Sequence, residues 1–141
     1  MSDLQKAHDL LRSGGYTCVL CRDEEIHTSQ ARGVRPLVQW LTFGPDLRGF
    51  SAADKVVGKA TAYLYCLLGV KAVHALVMSG AAAEVLRKNG IEVTQDKLVE
   101  NIINRAGNGI CPFEAAVWNI HTPEEALPAI RNKMKEMNIS L

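Results

Sequence analysis

Side chains that could do chemistry gather in two short segments. One is Ser51-Ala52-Ala53-Asp54-Lys55-Val56-Val57-Gly58-Lys59; the other is Asn104-Arg105-Ala106-Gly107-Asn108-Gly109-Ile110-Cys111-Pro112-Phe113-Glu114. Each reads as a turn entering the first turn of a helix, where unpaired backbone amides attract anions. In the first segment Ser51 and Asp54 have capping-box spacing. Lys55 and Lys59 then fall in the first turns of the expected helix, where a cation opposes the macrodipole. Capping does not account for them. A buried amine there could act as a nucleophile or acid/base, or neutralise a bound anion; otherwise both lysines snorkel to solvent. Gly58, inside the expected helix, costs roughly 1 kcal/mol relative to alanine. Close approach of a ligand or a neighbouring backbone would explain it.

In the second segment Gly107-Asn108-Gly109 supplies a tight turn with positive φ available. Cys111 then stands at the N-cap, Pro112 at N1 and Glu114 at N3. Proline and glutamate suit those positions, whereas cysteine is a poor cap. Thr122-Pro123-Glu124-Glu125 begins the last helix with the same grammar and nothing reactive, so capping alone needs no thiol. Arg105 reads either as an anion clamp or as a surface arginine. Ser79 follows an apolar strand, caps the next helix, and stands at a strand's carboxyl end, where α/β sites form. The candidate catalytic residues are therefore Lys55 and Cys111. The candidate ligand-binding residues are Asp54, Gly58, Lys59, Ser79, Arg105, Gly109 and Glu114.

The elements that must position them alternate without linkers or repeats. Leu4, Ala7, His8, Leu10 and Leu11 form an amphipathic helix stopped by Ser13-Gly14-Gly15. Tyr16 to Arg22 and Glu25 to Ser29 read as a β-hairpin. Val34 to Thr42 predicts a helix ended by Gly44-Pro45, and a long helix is expected from about Ala53 to Leu68. Val70 to Met78 suits a central strand; Ala81 to Lys88 suits a helix closed by Asn89-Gly90. Ile91 to Val93 and Leu98 to Ile103 are two short strands, and Pro112 to Asn119 and Pro123 to Met137 the last helices. This order predicts a three-layer α/β/α sandwich whose mixed sheet starts in a hairpin.

Composition sets the outer limits. The 141 residues suit one domain, 48% hydrophobic and 22% charged, which is globular. Sixteen basic against fifteen acidic residues give no polyanion-seeking field, so nucleic acid is not expected as a partner. No apolar run reaches membrane-spanning length, and Met1 to Lys6 lacks a signal core, so a cytoplasmic protein is expected. Cys18 and Cys21 form a C-x-x-C on a strand, where a spacing of three sends the sulfurs to opposite faces; core cysteines are expected. His74 reads as a satisfied core histidine, and His8, His27 and His121 show no metal spacing. No P-loop, dinucleotide fingerprint or G-x-S-x-G occurs.

Three stretches in order, Arg32-Gly33-Val34-Arg35-Pro36-Leu37, Ala53-Asp54-Lys55-Val56-Val57-Gly58-Lys59-Ala60, and Ile103-Asn104-Arg105 with Cys111-Pro112-Phe113-Glu114, resemble a small prokaryotic family of unknown function within the cytidine-deaminase-like superfamily. The resemblance implies a deaminase-like fold over nearly the whole chain. It does not carry the chemistry across. The zinc deaminases use H-x-E and P-C-x-x-C. Those motifs would fall on Asp54-Lys55-Val56 and Ile110-Cys111-Pro112-Phe113-Glu114, without the proton-shuttling glutamate. Asp54, Cys111 and Glu114 would make at most a mixed oxygen–sulfur site, which zinc disfavours. No cofactor is expected.

Three functions follow. The first is binding of a nucleotide-like or other anionic small molecule in a relic deaminase pocket, with Lys55, Lys59 and two helix N-termini holding the charge. The second is a metal-independent enzyme using Lys55 or Cys111 on a nucleotide-like substrate. The third is a structural or partner-binding domain whose two motifs are only caps and turns. Under any of the three, a second subunit could complete an apolar helix surface.

Overall fold

The computed structural model describes residues 2–141, in which eleven elements alternate. They are α1 (Asp3–Gly14), β1 (Cys18–Arg22), β2 (Glu25–Ser29), α2 (Arg35–Phe43), β3 (Ser51–Val57), α3 (Lys59–Leu68), β4 (Ala72–Ser79), α4 (Gly80–Lys88), β5 (Glu92–Val99), α5 (Pro112–Ala116) and α6 (Pro123–Glu136). The strands form one mixed sheet in the order β2-β1-β3-β4-β5. β1 runs antiparallel to β2 and β3; β3, β4 and β5 are parallel, joined by α3 and α4.

The two faces of the sheet are covered unequally. α1 lies alone on one face, where Ala7 and Leu11 meet Val19, Cys21 and Ala53. Its ends follow from sequence: the Ser2 hydroxyl accepts the Gln5 amide, and Gly15 closes it at φ 72°. On the other face α2, α3, α4 and α6 gather over the larger core, with α3 at the centre and buried from Ala60 to Tyr65. Leu37, Leu64 and Leu86 are among its fully buried side chains, each contributing about 1.5–3 kcal/mol. Cys18 belongs to this core and Cys21 to the α1 side, the opposite-face placement that strand alternation requires.

The main departure from the sequence reading lies between Ser51 and Leu68. The expected long helix is instead a strand, a turn at Gly58 and a shorter helix. β3 sits between β1 and β4, with both faces covered over Ser51 to Asp54. A strand buried on two faces shows no alternation and reads as an apolar run. Its two alanines, strong helix formers, complete the disguise. Asp54 and Ser51 therefore form no capping box, and Lys55 lies on a strand, where no helix dipole acts on it. Gly58 is an extended N-cap, not a mid-helix residue. At the other edge, β5 is one continuous strand where two short ones were expected. Its middle, Thr94-Gln95-Asp96-Lys97, is polar because an edge strand is solvated. Ile103 lies beyond it and bridges only to Ile110.

Candidate functional site

The carboxyl end of β3, the start of α2, the start of α3 and the loop running from Ile102 to Glu114 enclose a cleft of about 510 Å³. Six of the sequence candidates line it: Asp54, Lys55, Gly58, Arg105, Cys111 and Glu114. Three do not. Lys59 and Ser79 border a separate cavity of about 220 Å³, and Gly109 borders neither, its carbonyl accepting the Asn104 amide at 2.8 Å. Ser79 is buried and caps α4 through the Ala82 amide.

Glu114 links the two cavities and lines both. It is buried, and its carboxylate accepts the Lys59 amide at 2.7 Å and the Ala60 amide at 3.1 Å. Those are the first amides of α3. The sequence suggested that Glu114 serves its own helix; it caps another one instead, occupying the place an anionic ligand would take there. Burial pushes its carboxyl above the usual range, against the opposing pull of the two amides and of Lys59. Gly58 explains itself in the same contact: a Cβ would run into Glu114 Oε1 and come within 2.9 Å of Ile102 Cγ1. The neighbour that demands glycine is thus a side chain of this protein. Lys59 turns away, donating to the Trp118 carbonyl at 3.2 Å beside the Tyr63 ring.

At the base of the cleft Asp54 is buried and accepts the Tyr65 hydroxyl at 2.6 Å. With its proton given to Asp54, the Tyr65 oxygen accepts from the Cys18 thiol at 3.0 Å. Burial pushes Asp54 up to about 6, although the Tyr65 hydrogen bond works the other way. Cys18 and Tyr65 are held well above their usual ranges, again by burial first and the Asp54 charge second. A buried carboxyl with so high a pKa in a cleft marks a functional-site candidate. Sequence reasoning missed Tyr65 and Cys18, because only the packing of α3 on the sheet brings them to Asp54.

The rim is cationic. Arg32, Lys55 and Arg105 line the cleft and are exposed, and none makes an ion pair with a carboxylate among the described residues. Cys111 is half-buried at the N-cap of α5, with no side-chain capping bond. α5 has only five residues, too short to build a sizeable macrodipole. The mixed site of Asp54, Cys111 and Glu114 fails on donor commitments. Asp54 is engaged by Tyr65 and Glu114 by the α3 amides, and the three do not converge. The cleft therefore does not fit a deaminase zinc ion.

Among the described residues, the trio of metal-binding type that does converge is His8, His74 and Asp96, on the α1 face of the sheet. The sequence reading separated these histidines. The available signal was that both occupy core-facing positions, His8 on the apolar side of α1 and His74 in the middle of β4.

Fold and cleft together define a mixed α/β sandwich with a cation-rimmed cleft above two buried carboxyls. The family model "Domain of unknown function (DUF1893)" matches residues 6–134, and the chain belongs to that family. A DUF1893 family protein from Thermotoga maritima, solved by crystallography, is 25% identical with a TM-score of 0.86, covering 94% of this chain and 91% of that one. Two more distant structures are also similar. One is the diaminohydroxyphosphoribosylaminopyrimidine deaminase/5-amino-6-(5-phosphoribosylamino)uracil reductase of T. maritima, at 22% identity and TM-score 0.40, covering 64% of this chain and 34% of that one. The other is RibD of Acinetobacter baumannii, at 21% and 0.42, covering 90% and 38%. No curated protein matches the chain. No helix among the described residues is long and apolar enough to cross a membrane.

Proposed function

We propose that the protein binds a nucleotide-like or other anionic small molecule in the cleft at the carboxyl end of β3. One observation carries this reading: three exposed cations without carboxylate partners, Arg32, Lys55 and Arg105, rim a cleft with buried Asp54 and Glu114 inside it. The rim recognises the ligand's negative charge. Phe113, Ile102 and Pro36 offer apolar wall to a planar ring, and Asp54 can accept from or donate to the ring's polar edge. The charge is held by side chains, because Glu114 already takes the α3 amides. This replaces the expectation that Lys59 and helix N-termini would hold it.

The test combines native mass spectrometry with thermal shift against nucleoside monophosphates, the matching nucleosides and inorganic phosphate. A retained small-molecule mass, or a Tm rise with a monophosphate that Lys55→Ala and Arg105→Ala abolish, supports the reading. No retained mass and no shift with any of them would sink it.

A second reading has its own support. Asp54, with a pKa near 6, is suited to proton transfer at neutral pH, which would make the cleft catalytic without a metal. Lys55 or Cys111 would then be the nucleophile. Loss of turnover in Asp54→Asn with ligand affinity retained distinguishes catalysis from binding.

A further inference from the structure

The sheet face under α1 carries a group that the cleft does not use. His8 comes from α1, His74 from β4 and Asp96 from β5, and one ligand atom from each lies within 4.8 Å of the other two. Three donors bound to zinc at about 2.0–2.2 Å stand about 3–4 Å from one another, so a small side-chain adjustment suffices. The imidazole rings are 4.3 Å apart, centroid to centroid. His74 Nε2 is 3.1 Å from Asp96 Oδ1, and its Nδ1 is 2.6 Å from Thr94 Oγ1.

We propose that His8, His74 and Asp96 bind one divalent first-row transition metal ion, zinc foremost, clamping α1 to the parallel edge of the sheet. Two observations point there independently of the clustering. His8 Nε2 is buried and has no hydrogen-bond partner, a state native proteins rarely tolerate without cause. A histidine–aspartate brace between β4 and β5 explains His74 but leaves that nitrogen orphaned. Thr94 is the second. Ligating histidines bond their other ring nitrogen to an outer partner that sets tautomer and orientation. With the Nδ1 proton donated to Thr94, His74 presents a free lone pair at Nε2.

Arg12 lies close enough to raise the local potential against a cation, and the Asp96 carboxylate offsets it. Asp96 is half-exposed on the edge strand, which gives the ion an entry path and leaves a coordination position for water. Two histidines and a carboxylate with an open position suit zinc, and cobalt can stand in for it.

The test uses the full chain stripped with a chelator and titrated with Co²⁺ by visible absorption, then with Zn²⁺ in competition. One equivalent per chain and a Zn²⁺-dependent Tm rise are expected. Asp96→Asn and His8→Leu should each weaken binding by more than tenfold, and Thr94→Val by about tenfold. Cys111→Ser should leave it unchanged, which separates this site from the cleft. Circular dichroism checks folding; if His8→Leu does not fold, Asp96→Asn on the exposed edge carries the test. No saturable binding, full affinity in Asp96→Asn, or loss in Cys111→Ser would overturn the proposal.

Discussion

The carboxyls of the cleft and the histidine under α1, on opposite faces of the sheet, stand in contrast. On the cleft side every buried carboxyl is engaged: Asp54 by Tyr65, and Glu114 by the amides of α3. On the α1 side His8 Nε2 is buried with no partner at all. Truncating a satisfied buried side chain strands its partners, and should damage the fold. An unsatisfied one is a standing penalty, and its removal in the absence of a ligand should relieve the fold.

Three substitutions can break or sharpen that contrast. The largest effect belongs to Glu114→Ala, which strands two α3 amides and opens a void beside Gly58; about 3 kcal/mol of destabilisation is expected from urea unfolding. A loss under about 1 kcal/mol would mean that solvent reaches those amides and that Glu114 is not architectural. Asp54→Asn should act on the pH dependence. Its folded pKa near 6 lies above the unfolded carboxylate value, so the folded state binds the proton more tightly. Wild-type stability from this group is thus full below about pH 4 and declines as pH rises through 6. The neutral amide should remove that decline, so that the Tm of the variant no longer falls as pH rises through 6. An unchanged pH profile of Tm would refute the assignment. The smallest effect is His8→Leu in chelator: stability equal to wild type or higher by up to about 1 kcal/mol. A clear loss there would show that the imidazole already has a partner.

Much of the fold was legible from punctuation. Ser13-Gly14-Gly15, Gly44-Pro45, Asn89-Gly90 and Thr122-Pro123 each stand at or beside an observed boundary. The ends of α1, α2 and α4 and the start of α6 followed from them, whereas the hairpin and β4 followed from their runs of strand-forming residues. β3 was not legible, since burial on both faces erases the alternation that betrays a strand. β5 was only half legible, because its polar middle answers to solvent and not to the core. The site shows the same split. Asp54, Lys55, Gly58, Arg105, Cys111 and Glu114 do line one cleft, although the helix-start grammar that singled out Asp54, Lys55 and Gly58 was mistaken in detail. Tyr65, Cys18 and the His8–His74 pair escaped notice because tertiary packing, not local spacing, makes them neighbours.

The Glu114 contact also bears on what this fold can become. A carboxylate tethered beside the α3 amides competes at an effective concentration that a free anion cannot match. The helix end is self-occupied, as though the chain carried its own inhibitor there. Replacing that one side chain with a smaller neutral one, with compensation elsewhere for the lost cap, would vacate the berth for an external phosphate. The step from the present cleft to a helix-anchored phosphate site therefore begins at position 114.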